Sequence, residues 1–403
     1  MRLATPGAPQ LTYCTNIHPG ETWPEVRTVL QRSVPAVRDA VAPLGRFGVG
    51  LRLAAAAADA LMAPGELAAL CRLLDERGLY VFTINGFPYG AFHGTRVKES
   101  VYAPDWRSRE RERYSAVLAE ILAALLPDDC SYGSVSTVPG AFRPSATSPE
   151  ALDVIAEGVV AHVATLVALE ERTGRRIRLA LEPEPWCVFE RVADTVAFFE
   201  AHLFSPLAAR RLGKITGRSE PVCAAALRRH LGVCFDACHM AVEFEDPEDA
   251  LARFAAAGID LVKVQISAGM VARFTGGDDA AVRAALEAFA DDVYLHQVVE
   301  RGPDGLRRWL DLPDALAAYA GGAGTREWRV HFHVPLFRKA LGALASTQGW
   351  VGALLAALRR DAYAGHLEVE TYTWGVLPEE HRGEPVETAI ARELAWVMEQ
   401  LAS

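Results

Sequence analysis

Four acidic and imidazole side chains stand at the ends of short hydrophobic runs. Glu182 ends Arg-Leu-Ala-Leu-Glu, Asp236 ends Val-Cys-Phe-Asp with His239 three residues later, and Glu370 ends Leu-Glu-Val-Glu. If these runs are strands of a parallel barrel, their carboxyl ends surround one mouth and the four side chains become neighbours. Gathered carboxylates repel one another unless a cation or protons compensate, and oxygen with imidazole ligands suits Mg²⁺, Mn²⁺, Zn²⁺ or Co²⁺. The pattern therefore predicts a divalent-metal site. The alternative is that each carboxylate separately caps a helix or pairs with an arginine.

A second cluster, Arg329-Val-His331-Phe-His333, places both histidines on one side of a strand. Such a pair can share a metal or contact substrate oxygens, although two hydrogen-bonded core histidines would give the same pattern. Gln265, at the end of Val-Lys-Val-Gln, points the same way as Lys263. Either side chain could hydrogen-bond a hydroxyl group, and the Gln265 amide oxygen is also a candidate metal ligand.

The N-terminal third adds polar residues of the kind that bind ligands. The segment Asn85-Gly-Phe-Pro-Tyr-Gly-Ala-Phe-His93-Gly-Thr-Arg96-Val-Lys98 combines aromatic, glycine and cationic residues, which suits a sugar face or a phosphate. A packed loop without a ligand is the alternative. The roles of His296 and Gln297 stay open, and three cysteines near the motifs, Cys187, Cys234 and Cys238, are interpreted as structural although they could ligate zinc.

The elements that must position these residues alternate between strand-like and helix-like runs, which predicts a (β/α)₈ TIM barrel. Helical segments such as Pro149–Arg172 and Pro247–Ala257 separate the strands. An open doubly wound sheet is the alternative, but no Gly-rich nucleotide-binding motif follows any strand, so we expect no nucleotide cofactor. The predicted strands are Leu11–Asn16, Phe47–Leu53, Leu79–Asn85, Tyr132–Val138, Ile177–Glu182, Gly232–Asp236, Leu261–Ile266 and His366–Glu370.

The whole chain, 1–403, is interpreted as a single barrel domain with insertions at about 86–106 and 268–327. Three stretches exceed ordinary loop length: Gly86–Trp106, Phe204–Ser219 and Ala268–Glu327. The last contains the strand-like run Val293–Glu300 and is followed by Arg329–Leu336. We therefore expect an extra hairpin or a lid over the barrel mouth.

The charge and cysteine content of the chain limit the kinds of partner and compartment that we expect. Acidic residues number 51 against 41 Lys and Arg, and the net charge of −10 disfavours nucleic acid and anionic lipid. The seven scattered cysteines suit a reducing compartment. The N-terminus has no apolar signal core and no uninterrupted apolar run of membrane-spanning length occurs, so we expect a cytoplasmic protein without a membrane partner. A homo-oligomer is possible, but no surface pattern indicates one.

These motifs resemble those of the xylose isomerase-like TIM-barrel superfamily, which includes sugar isomerases, ketose 3-epimerases and the endonuclease IV group. Its metal glutamate after strand five resembles Leu-Glu182-Pro, and its Asp-x-x-His after strand six resembles Asp236-Ala-Cys-His239. Its final acidic ligand resembles Glu370. The resemblance covers nearly the whole chain and implies a barrel with a divalent metal.

Two further motifs sharpen the resemblance. The endonuclease-type Asp-x-His is similar to His331-Phe-His333. Together with Leu-Thr-Tyr-Cys-Thr-Asn-Ile-His18-Pro-Gly-Glu-Thr-Trp and the Asn85–Lys98 loop, that segment also resembles the EboE-type proteins, which are named for metabolite traffic. The resemblance implies a role beside a small-molecule biosynthesis or export gene cluster, with partners from the same cluster, and no established chemical step.

Two departures from the superfamily pattern matter. Xylose isomerases have a lysine two residues after the first metal glutamate, whereas this chain has Glu184, which argues against their hydride shift. Epimerases and endonucleases have a metal histidine where this chain has Gln265. We expect the metal to be bound more weakly or to be completed by His331 or His333.

The function predicted first is a metal-dependent isomerase or epimerase of a polyhydroxylated substrate: a sugar, sugar phosphate or cyclitol. The predicted catalytic residues are Glu182 and Glu370, as base and acid, and His239, which orients oxygen substituents. The predicted metal ligands are Glu182, Asp236, His239, Gln265, His333 and Glu370. The predicted substrate contacts are Asn16, His18, Asn85, His93, Arg96, Lys263, Gln265 and His331.

Two alternatives come from other classes. A hydrolase of small phosphoesters with two or three metals is favoured by the imidazoles of His239, His331 and His333. A metabolite-binding barrel without turnover is the third reading, because a fold does not prove catalysis.

Overall fold

The computed structural model describes residues 1–146, 148–276, 279–319, 321 and 324–402. The strands are β1 (Gln10–Tyr13), β2 (Phe47–Arg52), β3 (Leu79–Asn85), β4 (Gly133–Thr137), β5 (Ile177–Leu181), β6 (Leu231–Asp236), β7 (Leu261–Ile266), β8 (Ala268–Phe274), β9 (Val298–Gly302), β10 (Gly305–Trp309), β11 (Arg326–Val334), β12 (Ala340–Leu341), β13 (Leu344–Ser346) and β14 (His366–Val369). The helices are α1 (Trp23–Gln31), α2 (Ser33–Val41), α3 (Ala55–Leu61), α4 (Glu66–Glu76), α5 (Arg109–Leu125), α6 (Pro149–Thr173), α7 (Val192–Phe198), α8 (Pro206–Thr216), α9 (Glu220–His230), α10 (Ala237–Val242), α11 (Pro247–Ala256), α12 (Ala280–Glu287), α13 (Leu312–Ala318), α14 (Gln348–Arg360) and α15 (Val386–Ala402).

Eight parallel strands form the predicted TIM barrel, in the order β1-β14-β7-β6-β5-β4-β3-β2. A parallel bridge between Cys14 and Gly50 joins the two ends of this sheet and closes the ring. Helices follow the strands and pack outside, as in other α/β barrels. The fold prediction is confirmed, and all eight predicted strands are present within a few residues.

Two predicted segments differ from the structure. The first strand ends at Tyr13, because Thr15–Ile17 turns into a 3₁₀ helix. The stretch Phe204–Ser219 was predicted as a long loop, but α8 occupies most of it. Its helix signals are local: the Ser205 side chain accepts from Ala208 N–H, and Gly217 ends the helix with φ 72°.

A second sheet of six antiparallel strands begins directly after β7, in the order β10-β9-β11-β8-β13-β12. The predicted extra hairpin is present as β9 and β10, and the sheet continues to Ser346, beyond the expected boundary at residue 327. The register between β11 and β8 shifts between Val330 and Val334. The irregularity falls on His331–His333, which therefore have no regular pairing with β8.

The barrel interior contains a polar layer below the mouth. Lys263 Nζ lies 2.6 Å from Glu368 Oε2, and both side chains are fully buried. Gly50 makes room for this pair, because a Cβ there would lie 1.8 Å from Glu368 Oε1. Charged groups without solvent need such a partner.

The helix α6 is long and apolar enough to cross a membrane by length and composition alone. It packs against α5, α8 and α9, with its buried side chains facing the barrel. This is the arrangement of an outer helix of an α/β barrel.

Candidate metal centre

Five buried side chains converge where three barrel strands end. One carboxylate oxygen each from Glu182, Asp236 and Glu370 lie within 4.8 Å of one another. His239 and His333 form a second group with Asp236 within the same limit. Glu182 and Glu370 directly follow β5 and β14, Asp236 ends β6, and His239 lies one turn into α10. The sequence-distant ligands therefore meet at one mouth.

Several polar atoms in this group have no hydrogen-bond partner among the described residues. Asp236 Oδ1 accepts from a backbone N–H of α10 and from the Ser267 hydroxyl at 2.8 Å, whereas Asp236 Oδ2 has no partner. The same holds for Glu182 Oε2, His333 Nε2 and both polar atoms of the Gln265 side chain. Buried polar atoms are rarely left unsatisfied. A divalent cation with its water ligands would satisfy this donor set, so these residues fit a metal.

Two histidines are held in the orientation that metal ligands require. His239 Nδ1 lies 2.9 Å from the carbonyl oxygen of Pro183, and His333 Nδ1 lies 2.8 Å from that of Glu370. A carbonyl can only accept, so each Nδ1 carries the proton and donates it. Each neutral ring then presents an Nε2 lone pair. This carbonyl–histidine arrangement is usual around bound metals.

His331 is held in the same way and faces His239. Its Nδ1 donates to Gln297 Oε1 at 2.7 Å, while Gln297 Nε2 donates to the Tyr102 hydroxyl at 2.8 Å, which in turn donates to Glu184 at 2.7 Å. The Nε2 atoms of His331 and His239 are 3.1 Å apart. Two nitrogens bound to one tetrahedral zinc would be about 3.3 Å apart. His239, His331 and Glu184 thus form a further group that could hold a cation.

Electrostatics at the centre favour binding a cation. Burial and the charge of Asp236 raise the pKa of Glu182 to about 8, and burial and the charge of Glu182 raise the pKa of Glu370 well above its usual value. Burial also acts to raise the pKa of Asp236, but His239 and His333 hold it below its ordinary value. Burial and His239 lower the pKa of His333 to about 4, although Asp236 opposes this. Its imidazole is therefore neutral, as a metal ligand must be.

A cavity of about 60 Å³ lies above the carboxylates. Asn16 Nδ2 and Asn85 Nδ2 both donate to Glu370 Oε1, at 2.7 and 2.8 Å, and so orient this carboxylate. The rest of the lining is largely apolar or aromatic. The lining residues are Asn16, Asn85, Phe87, Pro88, Phe92, Val97, Lys98, Val101, Tyr102, Glu182, Glu184, His239, Tyr294, Leu295, His331, His333, Glu370 and Tyr372.

The structure brings most predicted site residues together. Asn16, Asn85, Glu182, His239, His331, His333 and Glu370 line the cavity. Asp236 and Gln265 are fully buried, and Asp236 groups with the ligands of the cavity floor.

Five predicted substrate contacts do not line the cavity: His18, His93, Arg96, Lys263 and Gln265. Lys263 lies one layer deeper than Gln265 on the same strand and pairs with Glu368. His18 Nε2 is 3.0 Å from the Tyr13 hydroxyl. His93 is half-buried with its Nδ1 3.7 Å from Glu21, and Arg96 is exposed to solvent.

Sequence reasoning missed other residues of the site. Glu184 attracted notice only as a departure from a family pattern, although its spacing from Glu182 in Glu-Pro-Glu-Pro was a usable signal. Tyr102 lies in a long loop without any such signal. Cys238, interpreted as structural, has its Sγ within 4.8 Å of ligand atoms of His331 and His333.

Comparisons with known proteins give distant similarities of fold. No family model matches the chain, and no curated protein matches it. Similar solved structures include the probable 3-DHS dehydratase AsbF of Bacillus anthracis (11% identity, TM-score 0.46, covering 96% of this chain and 97% of that one). They also include the IolI protein with a bound zinc atom (12%, 0.47, 98% and 98%) and a xylose isomerase domain protein of Alicyclobacillus acidocaldarius (13%, 0.46, 98% and 100%). All three are similar to this chain in fold.

Proposed function

We propose that this protein is a metal-dependent isomerase or epimerase of a small polyhydroxylated molecule: a sugar, sugar phosphate or cyclitol. The observation that carries the proposal is the floor of the cavity, where Glu182, Asp236 and Glu370 converge beside two histidines with oriented Nε2 atoms. Glu182, Asp236, Glu370 and His333 would hold the cation. A bound divalent metal acts as a Lewis acid that polarises a carbonyl and acidifies the neighbouring C–H.

The two glutamates at the cavity floor supply the proton transfer in this proposal. Glu182 Oε2 has no hydrogen-bond partner within the described part of the chain. Glu370 accepts from Asn16 and Asn85 on Oε1, so these two amides leave its Oε2 available. One carboxylate takes the proton from the substrate carbon, and the other returns a proton to it. In the metal-free chain, burial and the charge of Asp236 raise the pKa of Glu182 to about 8, so this carboxylate takes up a proton readily.

The cavity roof keeps water away from this chemistry. It joins the loop after β3 to the insertion before β9: Val97 N–H donates to the Val293 carbonyl at 2.8 Å, and the Tyr294 hydroxyl donates to the Phe92 carbonyl at 2.9 Å. A largely apolar roof limits the loss of a reactive intermediate to solvent.

The proposal is tested by solvent exchange. Metal-loaded protein is incubated in D₂O with a panel of ketoses and inososes, and deuterium at the carbon next to the carbonyl is measured by NMR. We expect exchange with at least one member of the panel and loss of at least 100-fold in Glu182→Gln and in Glu370→Gln.

The matched control is Glu300→Gln. Glu300 is also buried, but it accepts from Trp328 Nε1 in the antiparallel sheet and does not line the cavity. This variant should retain exchange. Wild-type protein that binds metal but exchanges no proton into any panel member would contradict the proposal.

A hydrolase of small phosphoesters is a second candidate because of one specific contact. The Nε2 atoms of His239 and His331, 3.1 Å apart beside Glu184, could hold an additional cation. Two cations per chain would favour hydrolysis, because paired metals clamp a phosphate and activate water. One cation would favour proton transfer, and none would favour a binding barrel.

We also propose a setting for this activity. The EboE-like motifs around His18, Asn85 and His331 support a role in small-molecule biosynthesis or metabolite traffic, with partners from the same gene cluster. The scattered cysteines support a cytoplasmic location, and the acidic composition argues against a nucleic-acid or membrane partner. We further propose that residues 1–403 form a single domain, which could associate as a homo-oligomer.

A further inference from the structure

We propose that the cavity accepts an uncharged polyol and rejects its phosphorylated form, an inference that rests on the proposed function and narrows its substrate class. The sequence suggested a phosphate grip in the loop from Asn85 to Lys98. In the structure, Lys98 of that loop instead binds the segment that covers the cavity.

Lys98 is the one lysine or arginine that lines the cavity among the described residues. Its Nζ donates to the carbonyls of Asp291 and Tyr294, at 2.9 and 2.6 Å, and to Asp311 Oδ2 at 2.7 Å. A lysine ammonium has three donors, and these three acceptors use all of them. The side chain is buried, so water cannot readily replace the partners. Lys98 is therefore neutralised and has no donor left for a phosphate.

Several other donors at the cavity wall are also engaged. One N–H each of the Asn16 and Asn85 amides donates to Glu370, and the Tyr102 hydroxyl donates to Glu184. The Tyr294 hydroxyl donates to a backbone carbonyl. A phosphoryl group needs several donors or cations, and these engaged N–H and O–H groups do not supply them.

Once a divalent cation is bound and its carboxylate ligands are ionised, the charge around the cavity is still negative. Glu182, Glu184 and Glu370 line it, and Asp236 lies at its floor. One divalent cation offsets two of these four carboxylates. A phosphate monoester adds a charge of about −1.5 to −2 at neutral pH, and like charges placed together oppose binding.

The roof offers the surface that a neutral polyol uses. The rings of Phe92, Tyr294 and Tyr372 form a three-membered cluster, with centroids 5.1 to 5.2 Å apart. Aromatic faces pack against the C–H groups of a sugar or cyclitol, while the polar floor accepts its hydroxyl groups. The two halves of the cavity therefore match an unphosphorylated ring.

The first test titrates inorganic phosphate into the protein by calorimetry, comparing wild type with Lys98→Met and Asp311→Asn. Asparagine keeps an oxygen that can accept the N–H groups of His296 and Leu312, but removes the charge that neutralises Lys98. We expect weak phosphate binding that Lys98→Met leaves unchanged. We expect Asp311→Asn to strengthen it about tenfold, and the double variant to cancel that gain.

Phosphate binding to wild type that falls tenfold or more in Lys98→Met would overturn the proposal, because Lys98 would then be a phosphate ligand. If circular dichroism shows that Lys98→Met does not fold, Asp311→Asn decides: an unchanged phosphate affinity would contradict the role given to its carboxylate.

The second test compares each ketose and inosose of the exchange panel with its monophosphate. Exchange into unphosphorylated members, at least tenfold faster than into their phosphates, supports the inference. Exchange into phosphates alone would leave the proposed function intact and overturn this inference. Exchange into neither would count against the proposed function, and the phosphate titration would still decide the inference.

Discussion

Three histidines at the centre owe their orientation to the groups behind them. His239 and His333 donate to backbone carbonyls, whereas His331 donates to a side chain, Gln297, that comes from the inserted segment. Fixing the proton on Nδ1 leaves Nε2 of the neutral ring as the acceptor. The site is thus prepared for a cation before any cation binds.

Gln297→Leu should weaken binding of a cation at the group of Glu184, His239 and His331 without removing any candidate ligand. Loss of the amide partner lets His331 adopt the other tautomer or rotate, and such supporting contacts are worth about 10 to 100-fold in metal affinity. Competition with a fluorescent chelator measures the change. Gln10→Leu is the control, because Gln10 is buried at the other end of the barrel, where it accepts from the Tyr80 hydroxyl. Equal affinities in the two variants would show that Gln297 does not position His331.

Glu182 should make the metal-free protein less stable as pH rises. Its pKa in the folded chain is about 8, against about 4.5 in the unfolded chain. Between these values the folded state binds the extra proton, so the stabilisation is complete below pH 4.5 and is lost as pH rises through 8. Urea unfolding of chelator-treated protein should show that the free energy of unfolding declines by up to about 5 kcal/mol between pH 4.5 and 8.

Glu182→Gln should reduce this decline, because glutamine has no proton to lose, while Glu370 still contributes to it. Added Mn²⁺ or Zn²⁺ should reverse the trend in the wild type, since deprotonated carboxylates bind cations more tightly at higher pH. A metal-free wild type whose stability is constant from pH 5 to 8.5 would contradict the burial of an uncompensated carboxyl at this position.

At the scale of elements, the barrel strands present layers of inward-facing residues. The register between β7 and β14 pairs Gln265 with Glu368, and Lys263 reaches the Glu368 carboxylate from two residues farther from the mouth. Glu370 directly follows β14, nearer the mouth. Gly50 on β2 leaves the space that the buried pair occupies. The charged layer supports the metal floor from below.

Removing one partner of this interior pair should destabilise the fold strongly. Lys263→Met leaves Glu368 buried and unpaired, which costs about 3 to 5 kcal/mol, while Lys263→Met with Glu368→Leu should recover much of the loss. Arg113→Met is the control, because the Arg113–Asp59 pair is exposed and is worth about 0 to 1 kcal/mol. A double variant no more stable than Lys263→Met would show that the cost arises from packing and not from the unpaired charge.

The sequence predicted the positions of the strands better than the contacts of their side chains. Hydrophobic runs ending in Glu182 and Asp236 located the strands and their mouth, because period and position are local properties. Lys263 was misplaced because alternation gives the side of a strand and not the depth of the layer. Tyr102 and Gln297 were not assigned because a long loop and an insertion meet only in three dimensions, through contacts such as Val97 with Val293.

At the scale of the molecule, the barrel supplies the carboxylates and His239, whereas the antiparallel sheet and the segment before β9 supply His331, His333 and part of the roof. His331 and His333 come from β11, where its register against β8 breaks, and the segment before β9 covers the cavity. The antiparallel sheet therefore completes the centre that the barrel strands begin. This division accounts for a chain much longer than its eight strand–helix units require.

The central claim is that the strand ends hold a divalent cation, and elemental analysis tests it most directly. Untagged protein purified without chelator is compared by mass spectrometry with Glu370→Ala and with Glu300→Gln, a buried carboxylate outside the cavity. We predict at least one Mn, Zn, Mg or Co per wild-type chain, retained in Glu300→Gln and lost in Glu370→Ala. Folded wild-type protein that contains no metal, and takes up none of these ions when they are added, would contradict the account.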